Sequence, residues 1–253
     1  MTPFKDPVLT QVPSHNTPIH RMNSDSLKQL VIAAAVAVTA SASAKAQIFI
    51  TEVAPWANTS SNAAYASDWF ELTNTGASAV DITGWKVDDN SNAFASSVAL
   101  SGITSVAAGK SVVFIDITSS DLATKSTGFI NAWFGGTAPA GFEIGGYGGS
   151  GVGLSASGDA VNLFDGSGTL MAKVTFGTAD AVSPFQTFDN TAALDNVTIS
   201  TLSTVGVNGA FTATDGIEVG SPGVTAVPEP SEYAAAFGVL ALGAAVWIRR
   251  QRC

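Results

Sequence analysis

Short runs of β-branched and aromatic residues, each closed by Gly, Asn, Asp, Ser or Pro, recur through the middle of this chain and restrict it to an all-β fold. Gln47 to Val53 (QIFITEV) stops at Pro55, and Asp68 to Thr73 (DWFELT) stops at Asn74-Thr75-Gly76. Val80-Asp81-Ile82 and, after Thr83-Gly84, Trp85 to Asp88 follow; Lys110 to Thr118 (KSVVFIDIT) is apolar enough for burial. Ala160 to Phe164 and Leu170 to Phe176 flank Asp165-Gly166-Ser167-Gly168, which reads as a hairpin loop. Val197 to Leu202 supplies one more strand. Helical spacing occurs once, from Asp121 to Phe134, where Leu122, Phe129, Ile130 and Trp133 suit one or two turns ended by Gly135-Gly136. The pattern predicts an antiparallel β-sandwich.

Both ends differ from this middle. Lys28 precedes an apolar stretch, Leu30 to Ala40, followed by small residues and Ala44-Lys45-Ala46. A positive region, an apolar region and an A-x-A site make residues 1–46 a signal peptide, cut after Ala46, with Ala42-Ser43-Ala44 as a second site. Residues 1–21 are polar and Pro-rich, and starting at Met22 gives a leader of ordinary length, which places the true start there. At the other end Tyr233 to Ile248 is sixteen residues without a charge. A bilayer crossing takes roughly 17–25 residues, and Trp247 with the arginines behind it extends the span to the interface. Arg249, Arg250 and Arg252 stay on the cytoplasmic side, so everything before residue 231 is expected outside.

Residues 224–253 resemble the PEP-CTERM sorting signal of Gram-negative bacteria: Pro228-Glu229-Pro230, then the hydrophobic helix, then the basic finish. The resemblance implies export, recognition by an exosortase in the inner membrane, and trimming near Pro230. Release to the cell surface or extracellular matrix follows, in species that make exopolysaccharide.

Composition matters once both ends are set aside. Residues 47–226 hold sixteen Asp and Glu against four lysines, a net charge of −12, with no Arg, His or Cys. Nucleic-acid binding is excluded, because phosphates need facing cations. Without His there is no Ser-His-Asp triad, imidazole base or His-bound zinc, and without Cys no thiolate nucleophile or disulfide scaffold. Carboxylate chemistry alone survives, since two acidic groups suffice for glycoside hydrolysis. Glu52 and Glu71, in two strand segments, are the pair that can face each other, although charged strand residues usually mark a solvated face.

The strand segments also resemble the lamin-tail domain, an immunoglobulin-like sandwich. The matching pieces are Ile50 to Val53, Asp68 to Asn74, Val80 to Trp85, Ala107 to Phe114, Leu154 to Leu163 and Gly220-Ser221-Pro222-Gly223, so the domain is expected over 47–223. The chain departs from that pattern in an enlarged centre, Asp121 to Gly153, whose Gly145 to Gly151 reads as a mobile loop. With no Lys and no strong helix after it, this stretch is no phosphate cradle.

Among candidate contacts, Trp69, Trp85 and Trp133 offer a sugar-stacking platform, although Trp85, between strand residues, fits a core better; Trp56, in the loop Pro55 to Ala66, is the aromatic placed for a ligand. Asp88-Asp89-Asn90 offers oxygen ligands to calcium, the one metal the sequence suggests, yet such a turn ordinarily caps its own backbone. No other cofactor is implied. The expected protein is an exported, non-enzymatic adhesive or structural module of the cell surface or matrix, its partners the exosortase, the inner membrane before processing and exopolysaccharide. A carboxylate-dependent polysaccharide hydrolase is the alternative.

Overall fold

The computed structural model describes residues 48–55, 64–117, 120–149, 152–179 and 182–224. In chain order the strands are β1 (Ile48–Ala54), β2 (Trp69–Asn74), β3 (Val80–Asp81), β4 (Lys86–Asp88), β5 (Val98–Ser101), β6 (Ser105–Val106) and β7 (Ser111–Asp116). Helix α1 (Leu122–Phe134) comes next, then β8 (Ile144–Tyr147), β9 (Asp159–Phe164), β10 (Leu170–Phe176), β11 (Phe185–Gln186), β12 (Phe188–Asp189), β13 (Val197–Ile199), β14 (Phe211–Thr212) and β15 (Glu218–Gly220). The expected runs appear within a residue or two of their places, except that the strand expected over Val197 to Leu202 stops at Ile199, Leu202 making only an isolated bridge to Phe188. The expected hairpin is there too: the Asp165 carboxylate accepts the Ser167 and Thr169 N–H groups at 2.8 and 2.9 Å, and β9 pairs antiparallel with β10.

One long sheet, ordered β12-β1-β2-β7-β8-β5-β4-β9-β10-β13, folds over at β5, which pairs with both β8 and β4. The halves face each other around an apolar interior. Phe70 and Phe114 stack at 5.7 Å, Tyr147 lies 5.2 Å from Phe70, and Phe176 meets Phe188 at 5.2 Å. Trp85 is 6% exposed and belongs to this core. A three-stranded sheet, β11-β15-β14, and a small β3–β6 pair complete the described elements.

The sandwich is not purely antiparallel. β7 and β8 run parallel, as do β10 with β13 and β11 with β15. The first case follows from the enlarged centre: α1 carries the chain back between two adjacent parallel strands, as a parallel pair requires. The helix ends in a left-handed Gly135, whose N–H and that of Gly136 return to the carbonyls of Asn131 and Ile130 at 3.1 and 3.2 Å.

Residues 144–147 form an interior strand, which corrects the expectation of a mobile glycine loop from Gly145 onward. Its glycines are there for closeness, not freedom. A Cβ on Gly145 would stand 2.5 Å from the Ser101 carbonyl oxygen and 2.6 Å from the Phe114 ring, and one on Gly148 would stand 1.8 Å from the Ile117 carbonyl oxygen. Gly145→Ala is therefore expected to destabilise the fold by about 1–3 kcal/mol through overpacking; a urea midpoint equal to the parent's would refute this.

Alternate residues of β2 and β7 face opposite ways. Phe70, Leu72, Val112 and Phe114 look into the inter-sheet core. The other face carries Trp69, which meets Phe129 and Trp133 of α1 edge-on at 5.6 and 5.7 Å. Phe142 and Phe211 close this second apolar layer, Phe142 stacking on Phe129 at 5.9 Å and Phe211 meeting Trp133 at 5.6 Å. Among the described residues no helix is long and apolar enough to cross a membrane, and the segment 233–248 lies outside them.

Candidate functional site

The outer face of β1 and β2 holds the chemistry. Register runs Ile50↔Leu72 and then Glu52↔Glu71, so one extra residue, Thr51, is inserted in β1. A bulge of this kind reverses the alternation of facing that follows it. Without it Glu52 would share the side of Ile50, in the apolar interior; with it Glu52 stands beside Glu71 on the side away from the interior. Thr51 joins them, donating to Glu71 Oε1 at 2.6 Å and bonding Thr73 Oγ1 at 2.7 Å, which in turn meets Ser111 Oγ at 2.6 Å. Asp189 of β12 flanks Glu52 on its other edge.

The C-terminal end of the domain crosses directly over the pair. Ser221 donates its N–H to Glu52 Oε1 at 2.8 Å and its hydroxyl lies 3.3 Å from Oε2. Gly223 donates its N–H to Glu71 Oε2 at 2.7 Å. Thr187 adds its hydroxyl to Glu52 Oε1 at 2.5 Å. Gly220 is obligatory beneath this arrangement, since a Cβ there would stand 2.3 Å from Glu52 Oε1. Glu52 and Glu71 are left 1% and 2% exposed.

Burial without a cation sets their acidity. Desolvation pushes the Glu52 carboxyl well above the usual range; the neighbouring Glu71 and, less, Asp189 push it further, against the Thr187 and Ser221 hydrogen bonds. Burial raises Glu71 to about 7, opposed by the bonds from Thr51, Gly223, Ser111 and Thr73. A second polar knot lies under α1. Tyr65 donates to Glu218 Oε2 at 2.7 Å and accepts the indole N–H groups of Trp69 and Trp133 at 3.0 and 3.4 Å. Desolvation and Glu218 together push the Tyr65 hydroxyl well above its ordinary value.

Two side-by-side carboxyls with raised affinity for protons are what a general acid requires. This pair lacks the other requirement, a route for substrate. Three sealed surfaces enclose it: the neighbouring strands, the hydroxyls of Thr51, Thr73, Thr187 and Ser203, and the strap 221–223. The arrangement can hold a proton and hold the strap, and it offers no room to a sugar.

The remaining sequence candidates divide in two. Asp88 is fully buried and accepts the Ser91 hydroxyl and Ala93 N–H, both at 2.7 Å, and the Ser96 hydroxyl at 3.0 Å, while Asp89 Oδ1 accepts Ser91 N–H at 3.1 Å. Asn90 donates its N–H to Asp159 Oδ1 at 3.0 Å. The turn thus caps itself, and among the described residues no three His, Cys, Asp or Glu side chains gather to hold a metal. Trp56, the Ala44 and Ala46 cleavage site, and the sorting residues Pro228, Glu229, Pro230, Arg249, Arg250 and Arg252 lie outside the described residues. Sequence reasoning missed Tyr65, Asp189 and Glu218, whose roles depend on partners more than a hundred residues away.

Among the described residues, a two-layer β fold with a sandwich-like sheet and a buried polar seam fits a structural or binding module. The family model of the lamin tail domain matches residues 41–178, more than half of the chain, and the chain belongs to that family. No curated protein matches it. The fold runs on past the matched segment: β11, β12, β14 and β15 supply Thr187, Asp189 and the strand that leads into the strap.

Proposed function

We propose that this chain is an exported, non-enzymatic module that serves an adhesive or structural role at the cell surface or in extracellular polymer. The observation that carries the reading is the sealing of Glu52 and Glu71, the acidic pair the sequence offered for catalysis, beneath the strap at 1% and 2% exposure. A rigid sandwich with variable surface is what a binding module needs. The described surface carries an open groove of about 440 Å³ lined by Val182, Pro184, Gln186, Thr204, Val205 and Val219. For delivery, the support is the sequence at the two ends: the leader cut after Ala46 and the resemblance of 224–253 to PEP-CTERM. In this reading an exosortase-type enzyme in the inner membrane handles the anchored intermediate, and exopolysaccharide is the partner outside.

Intact-mass analysis of the protein from the native cell surface and culture medium tests it. The expected mass runs from Gln47 to a residue near Pro230. A mass that retains Tyr233 to Cys253 would make the tail a permanent anchor and overturn the sorting step.

A further inference from the structure

The carboxyl pair does more than fill the sheet, because its partners include the strap that follows β15. Each glutamate is held by hydroxyls of the sheet on one side and by a strap N–H on the other. Every hydrogen-bond partner of the two is neutral. The charged groups that act on Glu52 are of one sign: Glu71 across the β1–β2 register and Asp189 of β12 beside it. On β7 the residues opposite are Ser111 and Val113, and on β15 the nearest carboxyl, Glu218, is engaged by Tyr65. The strap itself, Ser221-Pro222-Gly223, carries no charge.

We propose that Glu52 and Glu71 form a proton-gated latch: with one proton kept between the two carboxyls the strap 221–223 lies closed over the sheet, and with both ionised it lifts. Two buried carboxylates side by side without a cation cannot both remain dry and charged. Water must reach them, and the strap 221–223 covers them without belonging to a strand. β1 is paired on both edges, with β12 and β2, and β2 on both edges, with β1 and β7. Besides the carboxyls, the strap is held by the burial of Ser221 and Pro222 and by the Val224 N–H, which returns to the Ser221 carbonyl at 2.9 Å. Its apolar anchors are Phe142 packed against Gly223, where a Cβ would stand 2.6 Å from the ring, and Val224 packed against Gly209. The closed form keeps the proton within the pair, both members of which receive donors from sheet and strap: Thr187 and Ser221 on Glu52, Thr51 and Gly223 on Glu71. Opening releases the proton to solvent. The latch thereby sets, by pH, whether residues 221–223 lie on the sheet or stand away from it.

Hydrogen exchange of the full-length chain in mild detergent tests this, comparing the peptide covering 220–224 with that of β7 at pH 5 and pH 8, each rate normalised to the unfolded chain. Protection of the strap is expected to fall at least about tenfold between the two, as the protons bound in the closed form are lost. Its exchange should be insensitive to low urea, the mark of local opening, while β7 exchanges only with the urea dependence of global unfolding. The E52Q/E71Q variant should lose the pH dependence; if it fails to fold, E71Q alone should shrink it. Equal protection of the strap at both pH values, or a strap that exchanges with the urea dependence of β7, would overturn the latch. Neither outcome touches the export reading, which the mass of the native protein decides separately.

Discussion

Trp133→Ala is expected to lower the unfolding free energy by about 3–5 kcal/mol, the range for emptying a large aromatic site in a close-packed interior. Trp133 is 1% exposed and touches aromatic rings on three sides: Trp69 at 5.7 Å, Phe129 at 5.8 Å and Phe211 at 5.6 Å. These rings sit on β2, α1 and β14, so no single element can move to fill the gap. The Tyr65 hydroxyl loses only the weaker of its two indole donors, because Trp69 remains at 3.0 Å. The cavity therefore dominates the cost. Loss of the helix's grip would also loosen the 214–215 turn, whose N–H groups cap the last carbonyls of α1 at Trp133 and Ala132. Urea unfolding reads the effect, with Leu170→Ala, at 43% exposure, as a surface control expected within about 0.5 kcal/mol of the parent. A Trp133→Ala value under 1 kcal/mol would mean that α1 lies outside the cooperative core.

The rhythm of strand and turn was legible because it is local. QIFITEV, DWFELT and KSVVFIDIT announce buried strands by their β-branched and aromatic residues, and Asp165 to Gly168 announces its hairpin because Asp165 binds its own loop. Even the helix end at Gly135 could be read, since a left-handed cap needs only neighbours. What failed was whatever depends on the third dimension. Gly145 and Gly146 look like a flexible loop until Phe114 and Ile117 are seen against them. The three parallel pairings leave no trace in strand periodicity, which is two in either direction. The site was half legible. That Glu52 and Glu71 might meet followed from their strands, but a bulge at Thr51 decides which face they meet on, and residues 187 to 223 decide that they are covered. A carboxylate in a strand usually faces water; here the sequence carried no sign that the C-terminal strap would remove it.

Thermal stability is expected to fall as pH rises from about 4.5 to about 7, opposite to the acid denaturation common among proteins. The sign follows from Glu71, whose carboxyl titrates at about 7 in the folded domain and near 4.5 when unfolded. The folded state holds its proton more tightly, so the stabilisation is complete below the unfolded value and is lost as pH climbs through the folded one. A separation of that size is worth about 3 kcal/mol at 1.36 kcal/mol per unit. Glu52, raised further by burial and by Glu71 itself, acts in the same direction, as does the half-buried Asp116. Asp81 and Asp165 act oppositely, each lowered by hydrogen bonds in its own turn, but both lie at the surface, where solvent screens them. General repulsion in a domain of net charge −12 also grows with pH. A comparison with Glu71→Gln separates the two causes, because the variant keeps nearly all of the net charge and removes the titration. Melting curves at pH 5 and pH 8 should show the parent losing stability between them and the variant losing much less, so that the variant becomes the more stable protein at pH 8. A parent that melts higher at pH 8 than at pH 5, or a variant that declines in parallel with it, would show that the buried carboxyl is not the group that sets the dependence.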